Sequence, residues 1–147
     1  MIKIREMGKE DLPFIYSSWI RSYAGQNKDQ PKWAVYRLQM EAIKSVIPLC
    51  RIYVATPETG DDDDICGWVC HFDRVYQFIY VKSPFRRFGV AKILMASTGW
   101  NGEAIVAAYK PPWQMKNKIQ YWYAPQLQHG ENLRRFEDEN FSRETQH

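Results

Sequence analysis

The stretch from Tyr76 to Gly99 constrains this chain more than any other. Tyr76-Gln77-Phe78-Ile79-Tyr80-Val81 is dominated by aromatic and β-branched side chains and bounded by turn signals, so it reads as a buried strand. A turn, Lys82-Ser83-Pro84-Phe85, leads into Arg86-Arg87-Phe88-Gly89-Val90-Ala91 and then Lys92-Ile93-Leu94-Met95-Ala96-Ser97. Val90, Ile93, Leu94 and Ser97 fall at i, i+3, i+4 and i+7, with no glycine or proline before Gly99, which predicts a helix.

Between strand and helix lies a loop with two arginines and a glycine. A helix start leaves backbone N–H groups unpaired and carries partial positive charge, which favours anions. Gly89 lets a phosphate approach the backbone without meeting a Cβ. Arg86 and Arg87 supply fixed donors suited to phosphate oxygens. The physical reading is a pyrophosphate seat at the carboxyl end of a strand. The plainer alternative is a corner with solvated arginines and a turn glycine.

Arg86-x-x-Gly89-x-Ala91 also resembles the (Gln/Arg)-x-x-Gly-x-(Gly/Ala) motif of the GNAT superfamily of N-acetyltransferases. Phe78-Ile79-Tyr80-Val81-Lys82 followed by Phe85–Ala91 is similar to small acetyltransferase-like proteins encoded by tailed phages. The resemblance implies a GNAT-like α/β (α+β) fold. Its mixed, mostly antiparallel central sheet has six or so strands flanked by helices, with a V-shaped splay between the fourth and fifth. It implies acetyl-CoA as cofactor, with Ile79, Tyr80 and Val81 along the pantetheine arm and Arg86, Arg87, Phe88, Gly89, Val90 and Ala91 around the pyrophosphate. The implied activity is transfer of an acetyl group to a primary amine of a small molecule or protein.

The rest of the chain can be laid around this centre. Ile2–Met7 alternates apolar and polar as a half-buried strand, and Gly8 breaks it. Leu12, Ile15, Tyr16, Trp19, Ile20 and Tyr23 then follow helical spacing. A second helix from Pro31 places Val35, Leu38, Ala42 and Ile43 on one face, and Pro48 stops it. The resemblance sets Tyr23, Lys28, Trp33 and Tyr36 near an acceptor wall; the other reading packs Trp33 and Tyr36 between the two helices. Arg51–Thr56, Ile65–Phe72 and the strand ending at Val81 make three antiparallel strands, the first two joined by a solvated aspartate-rich tip. Ala104–Tyr109, without charge, is a fifth strand, parallel to the fourth across the helix. Trp113–Ile119 suggests a short helix and Tyr121-Trp122-Tyr123 a last strand. Residues 1–130 therefore read as one domain, and 131–147 as a charged tail or short docked helix.

Composition narrows the function. A chain of 147 residues supports one domain with a full core. A net charge of +3 suits an anionic cofactor and is too small for general nucleic-acid binding. Aromatics reach 15%, with six Trp and nine Tyr, so some are expected to be exposed in a groove or a protein interface, and those after Pro112 make a homodimer credible. Cys50, Cys66 and Cys70 form no C-x-x-C pair, and no metal site is expected. With no signal peptide or membrane-length apolar run, the chain reads as cytoplasmic, in the host cytoplasm if phage-encoded.

Acetyl transfer needs a neutral amine, a polarised carbonyl and a proton for the leaving thiolate. The resemblance implies a base on the motif strand or its neighbour, but the motif strand has no carboxylate, and Gln77 could hold a water without taking its proton. His71, with a suitable ordinary pKa, and Asp73 are the remaining candidates. Tyr109 and Tyr121 are the candidate acids, neither in register with the family motif. This weakness favours the alternative of a catalytically weak or inactive GNAT-fold protein that binds and modulates a host or partner protein.

Overall fold

The computed structural model describes residues 2–26, 28–60, 64–111 and 118–145. Six strands form one sheet in sequence order: β1 (Ile2–Glu6), β2 (Arg51–Pro57), β3 (Gly67–Phe72), β4 (Val75–Val81), β5 (Ile105–Ala107) and β6 (Tyr121–Tyr123). The first four pair antiparallel; β4–β5 and β5–β6 are parallel. Helices α1 (Leu12–Gln26), α2 (Lys32–Val46), α3 (Val90–Ser97) and α4 (Gly130–Thr145) complete the layers.

Aromatic packing seats α1 on the sheet. Trp19 lies 5.1 Å from the ring of Trp68 and 5.9 Å from Phe78, while Tyr23 meets Phe78 edge-on at 5.7 Å. Each such pair is worth about 1 kcal/mol beyond the area it buries. The Trp68 indole donates to Ser18 Oγ at 2.9 Å, so its one polar atom is satisfied inside the core. Arg5 and Asp11 clasp β1 to the start of α1. Both guanidinium nitrogens donate to the carboxylate, at 2.7 and 3.0 Å, and the Gly8 amide adds a third bond at 2.7 Å. The Arg5 contact is the main reason the Asp11 carboxyl is held below its usual pKa.

α3 packs on the sheet through a gap left by Gly67. A Cβ there would lie 2.8 Å from the Tyr80 carbonyl and 3.2–3.3 Å from Val90 and Leu94. The start of α4 docks on α2. A Cβ on Gly130 would stand 2.2 Å from the Ser45 carbonyl of α2, and Leu133 is fully buried.

Several expectations are corrected. In α2 the buried stripe is Val35, Ala42, Ile43 and Val46; Leu38 faces water instead, because the helix turns that side away from α1. Trp33 and Tyr36 are exposed too, so they do not pack between the helices. In α3 Met95 is buried and Ile93 largely exposed. β5 has three residues, not six. The helix expected over Trp113–Ile119 falls mostly outside the described residues. No helix among them is long and apolar enough to cross a membrane.

Candidate functional site

β4 carries one residue too many for its neighbour. Cys70 pairs with Phe78 while His71 pairs with Tyr76, which leaves Gln77 as a bulge residue. The insertion reverses the sense of the peptide groups beyond it. Before it, the Arg74 and Tyr76 carbonyls turn to β5 and accept from the Val106 and Ala108 amides at 2.9 and 3.0 Å. Beyond it, the Lys82 amide donates to the Cys66 carbonyl on the opposite, β3 side at 2.8 Å. Strand alternation puts Phe78 and Tyr80 on that side as well, and turns the peptide groups of Ile79 and Val81 away from it.

β5 has departed by that point, its register with β4 ending at Tyr76 opposite Ala107. Ile79 and Val81 therefore edge a wedge between β4 and β5 that opens toward the carboxyl end of β4. At its narrow end the buried Gln77 side chain donates to the Leu127 carbonyl, and Gln128 donates to the Ala108 carbonyl, each at 2.7 Å. By sequence Gln77 is a residue that could hold a water without taking its proton; for its contact with Leu127 the one signal is a polar residue inside an otherwise apolar run.

The basic loop lies where β4 ends. Arg87 and Gly89 both adopt left-handed backbone, at φ 75° and 77°. For Arg87 this costs about 1–2 kcal/mol, strain of a kind that collects at functional sites. Gly89 caps α3 without a side chain, and the first helical bond runs from the Ile93 amide to the Gly89 carbonyl at 3.0 Å. The amides of Val90, Ala91 and Lys92 thus have no acceptor among the described residues. A Cβ on Gly89 would meet nothing within 4 Å, so the corner is open rather than plugged. Arg86 donates Nε to the Val81 carbonyl at 3.0 Å, holding its guanidinium where wedge and loop join. Phe88, 73% exposed, presents a bare ring at the rim.

His71, Tyr109 and Tyr121 are not brought together. His71 is 6% exposed, with its ring stacked between Tyr53 and Tyr76. Nδ1 donates to the Asp73 carbonyl at 3.0 Å, and Nε2 is buried without a partner among the described residues. Burial is the main cause of its lowered pKa, so the ring is neutral at pH 7. Tyr109 is buried against Phe78, ring to ring at 4.9 Å, and burial raises its phenol well above the usual range. Tyr121 lies on β6 opposite Ile105 and is partly exposed. Among the described residues no cluster of three His, Cys, Asp or Glu could hold a metal.

No protein-family description matches the chain, and no curated protein matches it in sequence. Solved structures do match. A "possible acetyltransferase" from Clostridium difficile 630 superposes with TM-score 0.50 at 14% identity, over 84% of this chain and 80% of that one. Apo-form YjaB from Escherichia coli gives 0.49 at 22% identity over 67% of this chain, which spans only 64% of that protein. AAC(6')-Iy in complex with the bisubstrate analog CoA-S-monomethyl-acetylneamine gives 0.42 at 17% identity, over 84% and 79%. The fold matches that of the possible acetyltransferase, a mixed six-stranded sheet flanked by helices, consistent with the GNAT-like fold the resemblance implied.

Proposed function

We propose that this chain binds acetyl-CoA and transfers its acetyl group to a primary amine. One observation carries the reading. The peptide edge of Ile79 and Val81 that turns away from β3, its Val81 carbonyl held by Arg86 Nε, runs into a helix start whose amides are bare and whose cap is an open, left-handed glycine. That continuity suits a ligand with an amide-bearing arm and a diphosphate at one end, and the residues present fit it.

When bound, acetyl-CoA supplies an activated acyl thioester. The amides of Val90, Ala91 and Lys92 would hold the diphosphate, and Arg86 and Arg87 would neutralise it. The peptide groups of Ile79 and Val81, with Tyr80 between them, would fix the arm and orient the carbonyl, and such positioning supplies most of the rate. Tyr121 is the one of the two candidate acids with access to water, and we assign it delivery of a proton to the leaving sulfur. His71 and Tyr109 are shut into aromatic packing.

A second reading, a GNAT fold that binds a partner protein without catalysis, is favoured by the exposed apolar side chains of α2. Calorimetric titration with acetyl-CoA separates the two. Micromolar binding that weakens at least tenfold in Arg86→Ala, with turnover on a primary amine that falls in Tyr121→Phe, supports the transferase. A folded protein that ignores acetyl-CoA refutes it.

A further inference from the structure

Seven large apolar side chains are exposed among the described residues, and three of them, Trp33 (71%), Tyr36 (53%) and Leu38 (63%), lie within six residues of α2. Phe88 and Ile93 belong to the loop and helix of the candidate site, and Trp122 and Tyr123 to β6. The α2 group needs a separate explanation. Of the three, Trp33 and Leu38 border one face and leave on the order of 250 Å² of apolar side chain in water there, while Tyr36 points to another side of the helix.

The same face is grooved. Trp33, Ala34, Arg37, Leu38 and Glu41 line a shallow trough of about 390 Å³. Small Ala34 at its floor allows another helix to come close. The charges here are arranged unusually. Arg37 and Glu41 are four residues apart, yet neither has an ion-pair partner among the described residues. On α4 the reverse order, Glu131 before Arg135, makes a pair at 2.9 Å. Acid before base is the favourable order along a helix, and base before acid the poor one. Arg37 and Glu41 are thus better placed for a partner outside their own helix.

We infer that α2 is the interface of a symmetric homodimer, with two copies of the helix packed antiparallel across this trough. A twofold axis at the level of Gln39, midway between Arg37 and Glu41, brings Arg37 of each copy to Glu41 of the other. It also sets the two Leu38 side chains together near the axis and lays each Trp33 over the exposed Lys44 stem of its mate. The face is complementary to itself in charge as well as in apolar surface, which a foreign partner would not require. Its exposed apolar area fits the centre of a standard interface of about 800 Å² per partner.

Light scattering on the full chain, eluting over roughly 1–200 µM, tests this. A dimer at the upper concentrations is expected for the native sequence. Arg37→Glu and Glu41→Arg should each weaken dimerisation about tenfold or more, since each places like charges opposite one another twice. An equimolar mixture of the two single variants should restore a dimer, now mixed, and so should the double variant carrying both changes in one chain. Trp33→Ser should give a monomer with unchanged circular dichroism. A native monomer throughout the range, or a dimer indifferent to both charge reversals, overturns the inference. So does a mixture that stays monomeric.

Discussion

Gly89 offers a clean separation of stability from ligand binding. Its φ of 77° is left-handed, and a Cβ there meets nothing within 4 Å. Gly89→Ala should therefore cost only the backbone penalty, about 1–2 kcal/mol, or roughly 3–6 °C in Tm for a domain of this size. Gly89→Asn should cost less, because asparagine tolerates this conformation. Neither variant clashes with the protein, but each adds atoms where a diphosphate must reach the bare amides of Val90 and Ala91. Losing one charge-assisted hydrogen bond, about 1.5–3 kcal/mol, corresponds to roughly ten- to a hundredfold in Kd. Thermal unfolding gives the first quantity and calorimetric titration with CoA the second. The expected pattern for Gly89→Asn is a nearly native Tm with at least a tenfold weaker Kd. An unchanged Kd would refute the seat.

Two further outcomes are expected. Gly67→Ala forces a methyl to within 2.8 Å of the Tyr80 carbonyl and against Val90 and Leu94. It should destabilise the protein by about 2 kcal/mol, seen as a fall in Tm of roughly 4–8 °C, and an unchanged Tm would show that α3 does not rest there. Burial, reinforced by Asp73 and Asp138, pushes the Glu137 carboxyl up to about 7. Its folded pKa thus exceeds the ordinary value of 4.5, so stability is full below that value and declines as pH rises to about 7. Because the side chain is partly in water, the cost of ionising it is about 1 kcal/mol. Glu137→Gln should raise Tm by roughly 2–4 °C at pH 8 and leave it unchanged at pH 4; equal shifts at both would exclude titration as the cause.

Where local pattern and tertiary environment agree, the sequence is a good guide. The strand–loop–helix from Tyr76 to Ser97 is legible because aromatic and β-branched residues give way to helical spacing at a glycine. The antiparallel run of β2 to β4 follows from the turns between successive strands, whereas β1 reaches β2 only after two helices. The faces of the helices were harder to read. Leu38 and Ile93 fit an apolar stripe by spacing, but which side of a helix is covered depends on neighbours that spacing does not name. His71 illustrates the same gap at the site. Its chemistry suggests a base, whereas two flanking tyrosine rings, brought together only by strand register, close it off. Gln77 was illegible as a bulge because pairing register is a property of two strands at once.

That surplus residue acts on β4 as a frameshift acts on a message. Upstream of it the even-numbered carbonyls of Arg74 and Tyr76 address β5; downstream of it the even-numbered positions belong to β3. The strand thereby pairs with β5 as well as β3 before the bulge and with β3 alone beyond it. There its odd-numbered edge meets no strand among the described residues, and the Val81 carbonyl is taken by Arg86. Removing a single residue between Phe72 and Phe78 would restore an uninterrupted pleat, yet it would exchange which peptide groups face the cleft. Length in this short hairpin is consequently held more tightly than residue identity: substitutions there are local events, whereas an insertion or deletion rewrites the whole rim of the wedge.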